Sequence, residues 1–371
     1  MKNLILYLFA IVLLLPSCDL ELGDVSTMAS STANRCINDM RSQFSGEGGL
    51  NIGSKDYSYK FQFPRIGLSS HVQGVARLRD WNGKGRMAIS DNGSNAGFRI
   101  AFQDIVNSDE GIFSEDQKLK NAVSFKIRNE PQYGDHDHPG GMQAQGDVIA
   151  IAMEGGAAEH GAVYFLKAEG NSVSYLSTLW LDGSQGEPYQ ADQNAAATVG
   201  FVKLEEGNYL LAVCGRNHGK QGIWFYETED TEITSSTQWY YIDFYEPECT
   251  GYGNDSDKCF VGSGGGLNLV TDCEGAIYLI AMHGTSGTGG KEYEYLQVFW
   301  VLKASSSDAV ELFKFTQQRD GLGLFATNSK SFRWAGGVYV TRDGRLAIFN
   351  TERRRNVGDN DFVDGDIYIQ K

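Results

Sequence analysis

Five segments of this chain begin alike, with small residues beside one polar or aromatic residue. They read His-Val-Gln-Gly-Val from 71, His-Pro-Gly-Gly-Met from 138, Asn-Ala-Ala-Ala-Thr from 194, Gly-Gly-Gly-Leu-Asn from 264 and Trp-Ala-Gly-Gly-Val from 334. Each start is followed by a tight turn, a strand pattern that is apolar at nearly every position, and one polar residue. A unit that returns every 56 to 70 residues marks a repeat architecture, in which each copy buries its faces against its neighbours. Within a unit four strand patterns follow in order, for example GMQAQ (141–145), VIAIAM (148–153), GAVYFLK (161–167) and VSYLSTLW (173–180). The joints Glu206-Gly207, Glu274-Gly275 and Asp343-Gly344 place glycine where a tight hairpin needs positive φ, so each unit reads as an antiparallel four-stranded meander.

The second strand pattern of each unit lacks polar alternation, as in 209–214 and 277–282. A strand loses that alternation when both of its faces are covered. Small residues in the first strand pattern fit a place where several sheets crowd a common axis. Radially packed sheets meet both conditions, and the expected fold is all-β: a five-bladed β-propeller of four-stranded antiparallel blades. After WAGGVYV, RLAIFN and GDIYIQK the chain ends one strand short of a full blade. The N-terminal pattern YSYKFQFP (57–64) supplies the missing strand, so the last blade is expected to be closed by the N-terminal strand. A pair of β-sandwiches is the alternative.

The first residues, MKNLILYLFAIVLLLPSC, set Lys2 before an apolar run too short to span a bilayer and read as a signal peptide over 1–17. Leu15, Ser17 and Cys18 resemble the bacterial lipoprotein signal, in which the cysteine is lipidated; an ordinary secretory signal is the alternative. Residues 18–54 are rich in Ser, Thr, Gly, Asn and Asp and read as a lipidated cysteine and flexible tether, with a short helix over 33–44. Residues 55–371 form the single propeller domain, in which 109–120 invites another helix. The expected location is the bacterial cell envelope, lipid-anchored on the periplasmic or cell-surface side.

The formal net charge is −15, and removal of 1–17 takes away Lys2 alone, giving −16. An acidic surface without a basic stripe repels phosphate backbones, so no nucleic-acid partner is expected. Five cysteines follow Cys18, and export permits disulfides. Cys249 and Cys259 bracket a turn-rich loop that a bond would close, but the pairing among Cys36, Cys214, Cys249, Cys259 and Cys273 stays open, with at least one thiol left over.

In an antiparallel hairpin the start of the first strand and the end of the second share an edge, so a closed ring gathers both sets at one mouth. Asp91, Glu154, Arg216, His283 and Glu352 follow the second strands; His71, Asp137, His138, Asn194, Ser263, Arg333 and Trp334 lie at or before the first. A one-residue slip of register would turn some of them away. The candidate ligand-binding set is Asp91, Glu154, Arg216, His283, Glu352 and Trp334, and the candidate catalytic groups are His71, His138, Glu154 and His283, able to act as general acid and base. The competing reading is a rim that is polar because it is wet. The cluster Asp135, Asp137 and His138 could supply metal ligands, though its spacing matches no standard signature. The chain carries no GxSxG, HExxH or phosphate-loop motif, and the sequence specifies no cofactor.

The motifs HPGGMQ (138–143), NYLLAVCG (208–215), GLNLVTDCEGAIYL (266–279) and AGGVYVTRDGRLAIF (335–349) resemble those of exported bacterial lipoproteins of five-bladed β-propeller type. That group has no settled activity, so the resemblance implies the fold only. Five-bladed propellers also include glycoside hydrolases whose three acids come from the inner strands of the first three blades. At those places this chain has His71, His138 and Asn194. The functional expectation is a membrane-anchored protein that binds a small polar or glycan ligand at one mouth of a central channel. A hydrolase or lyase acting on carbohydrate or a phosphoester at that mouth, and an envelope protein-interaction scaffold, are the alternatives; whether it is an enzyme stays open.

Overall fold

A computed structural model describes residues 35–40, 42–43, 59–62, 72–81, 84–92, 98–105, 123–126, 138–154, 161–186, 196–215, 222–245, 266–286, 292–301, 314–321, 330–341, 344–352, 355–356, 362–363 and 366–370. Among them every regular element is a strand, and no helix is long and apolar enough to cross a membrane. Strand β1 spans Tyr59–Gln62. The first sheet follows as β2 (Val72–Trp81), β3 (Lys84–Asn92), β4 (Phe98–Ile105) and β5 (Val123–Lys126). The second holds β6 (His138–Gln145), β7 (Val148–Glu154), β8 (Ala162–Glu169) and β9 (Ser172–Trp180). In the third lie β10 (Ala196–Lys203), β11 (Tyr209–Gly215), β12 (Ile223–Thr228) and β13 (Tyr240–Tyr245). The fourth consists of β14 (Gly266–Thr271), β15 (Ile277–Ser286), β16 (Glu292–Val301) and β17 (Lys314–Gly321). Then come β18 (Lys330–Val340), β19 (Leu346–Glu352), a two-stranded ladder of β20 (Arg355–Asn356) and β21 (Phe362–Val363), and β22 (Asp366–Gln370).

The fifth sheet runs in the order β1, β22, β19, β18, all antiparallel. Tyr59 faces Ile369 and Gln62 faces Asp366, so the early strand that had no partner in its own unit completes the sheet at the other end of the chain. The hairpin glycines Gly207, Gly275 and Gly344 have φ of 95°, 88° and 72°, the left-handed region that favours glycine.

Alternate residues of one strand feed two different cores, which is why the second strands have no polar face. On β11, Tyr209, Leu211 and Val213 enter the core shared with the second sheet, beside Phe165, Phe201 and Trp239. Leu210, Ala212 and Cys214 point the other way, into the core shared with Leu267, Leu269 and Leu279 of the fourth. Each large apolar side chain so buried contributes about 1.5–3 kcal/mol.

The first strands lie side by side. β2 packs on β6, β6 on β10, β10 on β14, β14 on β18, and β18 on β2. A Cβ added to Gly140 would overlap the carbonyl oxygen of Ala197, and one added to Gly266 would overlap that of Gly336. Small residues are therefore required where backbones meet without side chains between them. Among the described residues each first strand is an edge of its sheet, and side chains of other sheets bond the amides along it. Gln143 is the extreme case: its Oε1 accepts from the N–H of Phe201 (2.7 Å) and of Leu269 (2.8 Å), and its Nε2 donates to Leu269 O (2.7 Å). Thr198 Oγ1 accepts from Leu267 N–H at 3.0 Å and Asn268 Oδ1 from Val338 N–H at 3.2 Å. Arg77 lies over the Tyr339 ring, 5.6 Å from its centre, and joins β2 to β18.

Part of the stretch read as a tether is docked instead. Ile37 forms a parallel bridge with Asp272, Ile37 and Met40 are buried among side chains of the fourth and fifth sheets, and Cys36 is bonded to Cys273 with Cα atoms 4.8 Å apart. Residues 35–40 and 42–43 make this bridge and turns rather than the expected short helix, because their apolar side chains and backbone bonds are used by the sheets. Cys214 is a free buried thiol, and its burial pushes its pKa up to about 12. Cys249, Cys259 and the helical pattern at 109–120 lie outside the described residues.

Candidate functional site

The shared edge of the first and second strands comes out as hairpin geometry requires. His138, the first residue of β6, faces Glu154, the last of β7, and Val72 of β2 faces Asp91 of β3. What the sequence did not show is a set of irregularities just inside that edge. The ladder jumps between Val72 and Gly74, between Pro139 and Met142, and between Ala196 and Thr198. Each jump inserts one extra residue on the first strand, a β-bulge that twists the chain and re-aims the side chain it carries.

Gln73 is the extra residue of β2, and its buried amide is directed across to the second sheet. Its Nε2 lies 2.9 Å from Nε2 of His138. The other ring nitrogen, Nδ1, is 2.9 Å from Oε2 of Glu154. With the Gln73 amide as donor, Nε2 of His138 accepts and the ring proton sits on Nδ1, on the carboxylate side. Nδ1 has no well-aligned hydrogen-bond acceptor, so its contact with Glu154 is a close electrostatic one rather than a linear hydrogen bond. The side chains of His138 and Glu154 are 32% and 15% exposed, so the imidazole can be reached from outside while the carboxylate is largely covered.

The other candidates are placed by backbone. His283 is not beyond the second strand, as its position after the apolar run suggested, but inside β15, which continues to Ser286; it pairs with Tyr295 on β16. Glu352 ends β19 opposite Lys330. Trp334 falls within the largest register jump, between Ser331 and Gly336 of β18. His71, Asp135, Asp137, Arg216 and Cys18 lie outside the described residues. The structure thus brings His138 and Glu154 into contact and adds Gln73. Among the described residues no group of three His, Cys, Asp or Glu side chains could hold a metal ion.

Chemically, the trio offers a donor-acceptor pair on a half-buried ring and a carboxylate behind it. A ligand hydroxyl can bond Nε2, and Nε2 can move a proton, once the Gln73 amide is displaced. Sequence reasoning passed over Gln73 because one amide in a Gly-rich start is expected to face water, whereas it is buried. Its signal was a polar residue inside a pattern otherwise small and apolar.

No protein-family model matches the chain, and no curated protein matches it. Among solved structures it is similar to a hypothetical protein from Leishmania major, 11% identical over 85% of this chain and 91% of that one, with a TM-score of 0.41. An α-L-arabinofuranosidase from Podospora anserina, solved with cellotriose, is 11% identical over 84% of this chain and 96% of its own, with a TM-score of 0.41. A bifunctional GH43-CE protein of Bacteroides eggerthii is 13% identical over 84% of this chain but 34% of its own length, with a TM-score of 0.42.

Proposed function

We propose that the five sheets are the blades of a β-propeller and that the edge carrying His138, Glu154 and Gln73 binds a small polar or glycan ligand. The contacts of each first strand with the next, and of β18 with β2, support the ring. The site reading is carried by the reachable imidazole held between the Gln73 amide and the Glu154 carboxylate, both at 2.9 Å. These contacts hold the ring in one orientation, so a ligand hydroxyl that takes the place of the Gln73 amide meets Nε2 at low entropic cost. A hydroxyl-rich compound screen against the full chain, read by thermal shift, tests it. Hits should lose affinity severalfold in His138→Ala, since a hydrogen bond to a neutral group is worth about 0.5–1.5 kcal/mol. Hits equally strong in His138→Ala and Glu154→Gln would place binding elsewhere.

A second reading keeps the site and adds turnover, as a hydrolase or lyase acting on carbohydrate. The overlap with the arabinofuranosidase is too loose to carry it; the imidazole-carboxylate contact is the feature in its favour, because such a pair can pass a proton. Turnover of a polysaccharide panel that is lost in Glu154→Gln while binding is kept would select this reading.

For location, we propose lipidation of Cys18 and anchoring on the outer side of a bacterial membrane. The Leu15-Pro16-Ser17-Cys18 sequence supports it, and so does the Cys36–Cys273 disulfide, a bond kept in oxidising compartments. Metabolic labelling with a fatty-acid analogue should mark the wild type and not Cys18→Ser.

A further inference from the structure

Residues 35–40 and 42–43 are bonded to two sheets at once. On the fourth sheet, Ile37 N–H donates to Thr271 O (2.9 Å), and Cys273 N–H donates to Ile37 O (2.9 Å). On the fifth, Asn38 N–H donates to Gly344 O (3.0 Å), Arg35 Nη1 to Val340 O (3.3 Å), and Leu346 N–H to Gln43 Oε1 (3.0 Å). Ile37 and Met40 fill the seam beneath, against Val270 and Ile280 of one sheet and Val338, Leu346 and Ile348 of the other. The segment therefore lies across the hairpin ends of β14–β15 and β18–β19, the edge opposite in the ladders to that of His138 and Glu154.

We propose that the Cys36–Cys273 disulfide makes this segment a redox-releasable strap over the seam between the fourth and fifth sheets. The residue pairs of both ladders are made between their own strands, β14 with β15 and β18 with β19, and the strap bonds to their hairpin ends, at Thr271, Val340 and Leu346. The strap, by contrast, is short: its described residues form one bridge and turns, and the hydrogen bonds above, two buried side chains and one covalent link tie it down. Cys273 sits in the hairpin and is exposed, whereas Cys36 is half-buried. A dithiol reductant, whether a small molecule or the paired thiols of an oxidoreductase, can thus reach Cys273 sulfur. Its thiolate attacks there, the bond between the two protein sulfurs breaks, and Cys36 leaves as a thiolate that takes up a proton. The reductant's second thiolate then displaces Cys273, which also ends as a thiol, and the reductant becomes a disulfide, so two electrons pass to the protein. Segments of few buried contacts open first once a covalent tie is lost. Release uncovers the apolar seam and leaves the opposite edge, with its candidate site, in place.

The test is hydrogen exchange on the full folded chain at neutral pH, before and after reduction. Mass mapping of alkylated thiols at 36 and 273 verifies the break, and a Cys249→Ser/Cys259→Ser background removes any effect of those two cysteines. Peptides covering 35–43, 271–274 and 344–347 should exchange at least tenfold faster when reduced, with 196–215 unchanged. The same local pattern is expected from Cys36→Ser without reductant; should that variant fail to fold, reduction of the folded wild type still decides. Unchanged exchange at the strap, uniform acceleration across all five sheets, or a bond that resists dithiols until the protein unfolds would each overturn the proposal.

Discussion

Gln143 shows how much one side chain can be asked to do in this fold. It is buried, and its amide satisfies two N–H groups and a carbonyl on two other sheets. Gln143→Leu preserves bulk but strands all three, and each unsatisfied buried group costs about 1–3 kcal/mol. Urea unfolding should register a loss of roughly 3–5 kcal/mol for that variant. Gln145, which makes one part-buried bond to Phe201 O at 2.9 Å, should cost roughly 1 kcal/mol when changed to Ala. Equal losses at the two sites would refute the role given to Gln143. The buried Cys214 makes a different prediction, through its pKa. Folded, its thiol titrates at about 12; unfolded, near its ordinary 9.0. Between those values the unfolded chain binds fewer protons than the folded one, so stability falls as pH rises from about 9 toward 12, by at most about 1.4 kcal/mol per unit from this group. Below 9 the contribution is fully present. Denaturation midpoints across that range should slope less in Cys214→Ala, and the native thiol should resist alkylation.

At the level of elements, the fifth sheet depends on strands from both ends of the chain. β22 stands between β1 and β19, so removing it leaves β1 with no ladder and β19 with a bare edge. Truncation before Asp366 should lower Tm by on the order of 10 °C or abolish soluble expression. Replacing the two-residue strands β20 and β21 with a short Gly/Ser turn should change Tm by no more than a few degrees, because among the described residues they pair with each other and with no other sheet. Comparable losses from the two changes would mean that β22 adds no more to stability than the two short strands do. The hairpins and the continuous apolar second strands were legible in the sequence, as were the Glu-Gly joints. The bulges at Gln73, in 140–141 and at Ala197 were not. A bulge adds one residue without changing the residue types around it, so strict alternation cannot register it. Its effect is on parity: beyond it, inward and outward positions exchange, and Gln73 comes to face His138.

For the whole molecule, cores shared between successive sheets mean that no sheet is buried without its neighbours. Phe165 of the second sheet stacks on Trp239 at 5.0 Å between ring centres and meets Phe201 of the third edge-on at 5.7 Å, so these two sheets hold one set of aromatic rings. With the disulfide intact, unfolding followed by tryptophan fluorescence and by circular dichroism should give coincident transitions. Separate transitions would show that the cores act independently. The sequence by itself determined the period, the four-strand unit, the hairpin glycines and the edge on which His138 and Glu154 meet, because these depend on backbone preferences and hydrophobic pattern within a few dozen residues. Tertiary structure decided the rest: that Cys36 pairs with Cys273 across 237 positions, that part of the apparent tether is packed, and that Gln73 and Gln143 leave their own sheets to bond others. Those contacts join residues far apart in the chain, and their partners are set by how neighbouring sheets approach, a distance and angle that no local pattern encodes.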